Sequence, residues 1–123
     1  MRLIIIIGIG GFIGAALRYM LGVFLHSKIS STFPAGTFSV NIIGCFFIGV
    51  IYALSEKGNI SNDLRLFLAT GILGGFTTFS SFSNEAAGML RDAQYGPAFL
   101  YISSSVILGL AATFCGIFLM KAL

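Results

Sequence analysis

The sequence predicts an all-α membrane protein built from four transmembrane helices. Only 9% of its 123 residues are charged, whereas about 25% is usual in soluble domains. Apolar residues make up 57% of the chain, and the mean hydropathy is +1.00. A helix that crosses a bilayer needs about 20 apolar residues. Four such helices occupy nearly the whole chain, so we expect one transmembrane domain, no separate catalytic domain and no enzymatic activity.

The predicted spans follow in order from the four apolar runs of the sequence. Short polar stretches separate the runs, which places the spans at residues 3–25, 34–54, 65–90 and 97–120. The seven Lys and Arg residues do not cluster. Nucleic acid is therefore not an expected partner, and the lipid bilayer is.

The basic residues give little preference for either orientation in the membrane. The N-terminus, the second loop and the C-terminus share one face, called face A, and the other two loops share face B. Counting Arg18, which we expect to extend toward face B from within the first span, four basic residues oppose three. They are Arg2, Lys57, Arg65 and Lys121 on face A, and Arg18, Lys28 and Arg91 on face B. Two oppositely inserted copies could therefore pair as an antiparallel, dual-topology homodimer, although one orientation chosen by context is an equal alternative.

Glycine pairs in the first and third spans indicate close helix contacts. Gly10 with Gly14 and Gly71 with Gly75 are each four residues apart, which lets two helices approach. Four thin helices cannot surround a pore alone, so we expect an oligomer. The same pairs could equally pack helices within one subunit.

Polar and aromatic residues of three spans are predicted to share one layer of the membrane. Polar groups at this depth are costly and usually face a pathway or a partner. At a rise of about 1.5 Å per residue, they lie roughly 4 to 17 Å from face B. They are Thr37 and Asn41 on the second span, Phe79 and Phe82 on the third, and Tyr101 and Ser105 on the fourth. A single Ser can satisfy its hydroxyl on the preceding turn, but the Asn41 carboxamide needs partners from other helices.

The third span is predicted to break near its middle. Residues 74–78 read Gly-Gly-Phe-Thr-Thr, which is a poor helix interior. A break there leaves main-chain carbonyls without helical partners, which membranes tolerate only inside protein or around an ion. In an antiparallel dimer, such carbonyls from two copies could coordinate one cation.

Arg18 and Glu85 are the charged residues deepest within the predicted spans. They lie about seven and five residues from face B, and they could pair with each other. Alternatively, Arg18 attracts anions toward the mouth of a pathway while Glu85 is an interfacial carboxylate. Both are candidate pore-mouth or orienting residues.

Three stretches together resemble the Fluc/CrcB fluoride channel family. They are residues 10–19, which read GGFIGAALRY; residues 33–49, which contain FPAGT and VN; and residues 71–85, which contain GGFTTFSSF. The resemblance spans the chain, and the third stretch is its most specific part. It implies a dual-topology homodimer with two antiparallel pores, which exports fluoride passively across the cell inner (plasma) membrane.

The resemblance also assigns roles to individual residues. It implies a structural sodium ion at the centre of the dimer, held by the main-chain carbonyls of Gly74 and Thr77. It places Phe79 and Phe82 in a phenylalanine box along the fluoride path and makes Asn41 a pore-lining amide. Tyr101 and Ser105 then form a polar track on the fourth helix. Such a pore replaces the water around fluoride with closely spaced donors and ring edges.

Three other functions are alternatives to the channel. Residues 8–14 resemble a dinucleotide-binding turn, but the first acidic residue of the chain is Glu56, too far along for that motif. A proton-coupled small multidrug-type transporter has the same size, but it needs a membrane-embedded carboxylate in the first span, and that span has none. A structural or assembly protein leaves the Asn41 layer without a purpose.

Overall fold

The computed structural model describes residues 1–29 and 31–123; Ser30, in the predicted first loop, lies outside the described residues. Three long uninterrupted helices are α1 (Arg2–Lys28), α2 (Ala35–Glu56) and α5 (Tyr95–Ala122). The third span is divided into α3, residues 62–76, and α4 (Phe79–Arg91). The predicted all-α fold with a broken third helix is confirmed.

All four segments are long and apolar enough to cross a membrane. The third counts as Asn62–Arg91 when its two parts are taken together. Helix ends lie within three residues of the predicted span limits, usually just outside them. The helices extend past the apolar runs, and polar residues such as Asn62 and Lys28 lie in their terminal turns.

The third span departs from a regular α-helix before it breaks. Within α3, Asn62–Arg65 is α-helical, Leu66–Leu73 is a π-helix and Gly74–Phe76 is α-helical again. Thr77 and Thr78 are extended, with ψ of 158° and 109°. The break therefore falls on the two threonines and not on the two glycines, which remain helical.

The glycines of the third span serve close packing against α1. A Cβ built on Gly75 would overlap the Gly11 carbonyl oxygen, and one built on Gly10 would lie 2.7 Å from the Phe67 carbonyl oxygen. Small residues are what allow two helices in lipid to approach this closely. The small-residue pairs of the first and third spans thus pack helices within one subunit.

The second helix pair is formed by α2 and α5. Gly49 and Gly116 lie at their contact, where an added Cβ would overlap the carbonyl oxygens of Thr113 and Phe46 respectively. Near face B, α4 packs on α5 through a buried cluster. Its members are Ala86, Met89, Ala98 and Tyr101, with Phe33, Phe38 and Phe82 packed against them.

Charged groups connect the chain ends to the second loop at face A. Arg2 forms an ion pair with Asp63, and the Lys57 ammonium donates to the Met120 carbonyl near the end of α5. The Arg65 guanidinium lies 5.8 Å from the centre of the Tyr52 ring. The first two contacts each lie within one helix pair, and the third connects α3 with α2 of the other pair.

Candidate functional site

The site is built around the two extended residues of the third span. In a continuous α-helix the Thr78 N–H would donate to the Gly74 carbonyl. Here it donates to Oδ1 of Asn41 at 2.8 Å, while Nδ2 of Asn41 donates to the Thr78 carbonyl at 3.1 Å. The carboxamide of α2 thus takes both main-chain groups of one residue, and Asn41 finds its predicted outside partner in the break itself.

Arg18 binds the other residue of the break. Its guanidinium donates to the Thr77 carbonyl at 3.1 Å. This contact corrects the expectation that the side chain extends toward face B. Of the two alternatives for Arg18, a pair with Glu85 is not formed, and the guanidinium binds the break. A carbonyl left without a helical partner inside the membrane is a strong acceptor, which explains why a guanidinium on the neighbouring helix turns toward it.

The first turn of α4 is capped by Thr78. The Thr78 hydroxyl accepts from the Ser81 N–H at 3.2 Å, as is typical of a threonine at a helix N-terminus. It also lies 3.0 Å from the Ser81 hydroxyl. The break therefore ends in a new helix start, and Thr78 joins the site although sequence reasoning had singled out Thr77. The signal for it was available, because a threonine followed by Phe-Ser-Ser is a reasonable N-cap.

Glu85 organises the polar groups nearer face B. The hydroxyls of Thr37 and Tyr101 donate to its two carboxylate oxygens at 2.7 Å and 2.8 Å. Tyr101 has no exposed surface. Two hydroxyls from α2 and α5 are therefore directed at one carboxylate on α4, which links three helices.

An aromatic row extends from this carboxylate cluster to the break. The ring centres of Phe79 and Phe82 are 5.6 Å apart, and those of Phe82 and Tyr101 are 5.2 Å apart. Phe79 is 78% exposed in the single chain, although it lies in the middle of the span. The row thus has a buried end at Tyr101 and an open end at Phe79.

A groove of about 460 Å³ brings four of the predicted lining residues together. Asn41, Phe79, Phe82 and Ser105 line it, beside Thr77 and Thr78. The Ser105 hydroxyl is buried and has no hydrogen-bond partner among the described residues. Such a group is costly unless something else occupies the groove.

A second cavity of about 800 Å³ lies on the face B side of the break. Its lining includes Arg18, Thr37, Glu85 and Thr78, and Thr78 also lines the groove. The predicted layer is thus divided. Asn41, the phenylalanines and Ser105 line the groove, and Thr37 lines the wider cavity with Glu85 and Arg18. Tyr101 lines neither, because its side chain is fully buried against Glu85 and Phe82.

The break supplies main-chain oxygens that suit a hard cation. The Gly74 carbonyl loses its helical partner because the Thr78 N–H is bound to Asn41, and Gly74 is exposed. The Thr77 carbonyl loses its helical partner because the Ser81 N–H is bound to the Thr78 hydroxyl. The Thr77 carbonyl oxygen has two lone pairs, and one of them accepts from Arg18. In the described part of the chain, no three side chains of His, Cys, Asp or Glu come together as a metal site.

Comparison of the sequence with known proteins places the chain in a family. The sequence model of the CrcB-like protein family, described as Camphor Resistance (CrcB), matches residues 5–117. A protein of Phocaeicola vulgatus named fluoride-specific ion channel FluC is 44% identical, with 97% of this chain and 98% of the relative covered. One of Flavobacterium psychrophilum with the same name is 46% identical over all of both chains. A third protein of that name, from Oceanobacillus iheyensis, is 46% identical, with 95% of this chain and 90% of the relative covered. The match extends over all four helices and includes the broken one, and the chain therefore belongs to the CrcB-like protein family.

Proposed function

We propose that the protein is a fluoride-selective ion channel that lets fluoride leave the cytoplasm passively and so lowers its concentration there. The observation that carries the proposal is the likeness to proteins named fluoride-specific ion channels, at 44–46% identity along nearly the full length of both chains. The matched region takes in the four helices, the break and the residues that line the groove.

The groove offers the chemistry that fluoride requires. Fluoride is small and strongly hydrated, so a pathway must replace its water with closely spaced donors. The Ser105 hydroxyl is buried and has no partner among the described residues, and the Asn41 carboxamide keeps one N–H after its bond to Thr78. The positive edges of Phe79 and Phe82 add weaker contacts that suit an anion without binding it tightly.

Arg18 and Glu85 act at the wider mouth in this proposal. Both line the 800 Å³ cavity, and they carry opposite charges. The Arg18 guanidinium draws an anion toward the break. The hydroxyls of Thr37 and Tyr101 donate to the Glu85 carboxylate, which fixes the position of that carboxylate beside the mouth.

A second copy of the chain completes the pathway. Thr70, Ser80, Ser83 and Asn84 are exposed polar residues on the third span, and polar side chains at membrane depth do not face lipid. Phe79, also exposed, lies beside them. An identical partner that covers this face buries these groups and closes the open side of the groove.

Antiparallel insertion of the two copies is part of the proposal. With Arg18 bound at the break, face A carries Arg2, Lys57, Arg65 and Lys121 against Lys28 and Arg91 on face B. Leaving Arg18 out widens the difference from one basic residue to two, and the pairing of Arg2 with Asp63 does not change it, because acidic residues contribute little to orientation. The remaining bias is too small to impose one orientation. We assign the dimer to the cell inner membrane, because that membrane bounds the cytoplasm from which fluoride leaves.

A sodium ion between the two copies fits the donor set. The carbonyl oxygens of Gly74 and Thr77 are hard ligands, and both have lost their helical partners. When bound, the ion supplies a fixed positive charge beside the anion pathway. Gly74 is exposed in the single chain, which leaves it accessible to a partner copy.

The deciding experiment is efflux of fluoride from liposomes that contain the purified protein, with chloride efflux measured in parallel. Fluoride efflux without chloride efflux supports the channel. A proton-driven exchange of organic cations would instead identify the multidrug-type transporter, for which α1 (Arg2–Lys28) offers no acidic residue.

Two variants test the assigned lining in the same liposomes. We expect Phe79→Ile and Asn41→Asp to lose fluoride efflux while each still dimerises. Phe114→Ile is the matched control, because Phe114 is an exposed phenylalanine of α5 that does not line either cavity. Unchanged selective efflux in both test variants would reject these residues as the lining.

A further inference from the structure

We propose that Arg18 and Asn41 are positioning residues that hold the third helix open, by replacing the hydrogen bonds that its two extended residues have lost. The supporting geometry is a main-chain segment of two residues bound from two different helices. Arg18 reaches it from α1 and Asn41 from α2. The role of Arg18 and Asn41 in shaping the main chain is independent of the proposed function, and the effect of that role on conduction rests on the proposed function.

Asn41 satisfies both polar groups of Thr78. A carboxamide has one acceptor and two donors, and here the oxygen accepts from the N–H while one donor binds the carbonyl. An unpaired amide or carbonyl at membrane depth is costly. In a regular helix the Thr78 N–H binds the Gly74 carbonyl, so without Asn41 we expect that bond to form, which would continue the helix and remove the break.

Arg18 performs the corresponding task at Thr77. The Thr77 carbonyl would accept from the Ser81 N–H in a continuous helix, but the Thr78 hydroxyl takes that N–H. The guanidinium therefore supplies the donor that the helix does not. A guanidinium carries five N–H donors in a planar fork, so it can bind this carbonyl and still offer donors to the wider cavity.

The two contacts set the direction in which α4 begins. Phe79 follows Thr78 directly, and Phe82 lies one turn later. A change at Thr77 or Thr78 would therefore rotate the ring pair and turn the Gly74 and Thr77 carbonyls. Asn41 and Arg18 then act on conduction through the main chain, in addition to any contact with the ion.

The sequence permits a selective test, because Thr77–Thr78 is its one Thr–Thr peptide bond. Protein grown with threonine labelled with ¹³C at the carbonyl and ¹⁵N at the amide gives a single carbonyl-to-nitrogen correlation by NMR. That signal reports the Thr77 carbonyl bound by Arg18 and the Thr78 N–H bound by Asn41. The measurement is made on the full chain in lipid, without fluoride.

For Asn41 we expect a loss of protection at one amide. In Asn41→Ala the Thr78 N–H should exchange with solvent about tenfold faster, as the loss of a buried hydrogen bond implies. Asn41→Asp keeps the accepting oxygen and should keep the protection. If Asn41→Ala does not fold, Asn41→Ser takes its place. The serine side chain is too short to reach Thr78, so we expect the same loss of protection. Asn59→Ala, at an exposed carboxamide of the second loop, is the control.

For Arg18 we expect a change at the carbonyl. Arg18→Met should shift the Thr77 carbonyl resonance, and Arg18→Lys, which keeps a charged donor, should restore most of it. Arg91→Met removes an exposed guanidinium of α4 and serves as the control. If the Thr77–Thr78 signal is the same in Asn41→Ala, Arg18→Met and the unchanged protein, the proposal is overturned. If the signal moves but no variant or parent passes fluoride, the channel assignment fails and the positioning role stands.

Discussion

Ser105 differs from its neighbours in what its hydroxyl contacts. The hydroxyls of Ser103 and Ser104 return to carbonyls of the preceding turn, at 2.6 Å from Phe99 and 3.3 Å from Tyr101. The Ser105 hydroxyl is buried with no partner in the described part of the chain. Of these three consecutive serines, Ser105 is the one whose hydroxyl has no partner among the described residues, and it is also the one that lines the groove.

Replacing Ser105 should separate conduction from stability. In Ser105→Ala we expect fluoride efflux from liposomes to fall about tenfold, which corresponds to about 1.4 kcal/mol, because the pathway loses a donor. Thermal stability in detergent should be unchanged or slightly higher, since removing an unpaired buried hydroxyl costs nothing in the protein. Ser104→Ala is the control and should keep its efflux. Equal efflux in both variants would show that the Ser105 hydroxyl does not contact the ion.

At the scale of elements, α1 and α3 determine the position of the break. A Cβ built on Gly14 would overlap the Ile72 carbonyl oxygen and would lie 2.8 Å from the Phe76 nitrogen. Both contacts fall just before Thr77. The π-helix Leu66–Leu73 packs on the same side of α1, and its wider turn alters the direction in which the following residues point.

A methyl group at Gly14 should therefore destabilise the protein. We expect Gly14→Ala to lower the free energy of unfolding by about 1–3 kcal/mol, the usual cost of overpacking, because the added Cβ overlaps the main chain of α3. Gly8→Ala on the same helix meets nothing within 4 Å. It should be neutral or gain up to about 1 kcal/mol from helix propensity. Unfolding in mixed detergent micelles measures both, and equal stability of the two variants would contradict the close approach.

At the scale of the whole molecule, the single chain leaves its most polar intramembrane surface exposed. Ser80, Ser83 and Asn84 lie on that surface beside the open ring of Phe79. By contrast, the exposed surfaces of α1 and α5 carry large apolar side chains such as Phe12 and Phe99, which suit lipid. The polar side of the third span is therefore the side that we expect a partner copy to cover.

Dual topology can be tested by labelling. We expect a cysteine introduced by Asn59→Cys, in a chain with Cys45 and Cys115 replaced by Ala, to react in about half of the molecules when intact cells meet a membrane-impermeant maleimide, because oppositely inserted copies pair. Gln94→Cys on the opposite face should give the same fraction. Complete labelling at one site and none at the other would establish a single orientation and reject the antiparallel dimer.

Several features could be predicted because they depend on local chemistry. Apolar length located the four spans, and the Gly-Gly-Phe-Thr-Thr run located the break to within a few residues. The π-helix could not be predicted, since Leu66–Leu73 is an ordinary apolar sequence with no local signal for this geometry. The depth of Asn41 was predictable, but its bond to Thr78 depends on how α2 faces the third span.

The amino-acid sequence by itself determined that the chain crosses the membrane four times, where the third helix is weak and which polar residues lie at similar depth, because hydropathy and helix propensity act over a few neighbouring residues. Tertiary structure alone decided which donor meets which acceptor. Arg18 binds Thr77 and not Glu85, and Glu85 receives Thr37 and Tyr101. The reason is that unpaired polar groups in an apolar medium bind whichever partner the packing of other helices brings within about 3 Å.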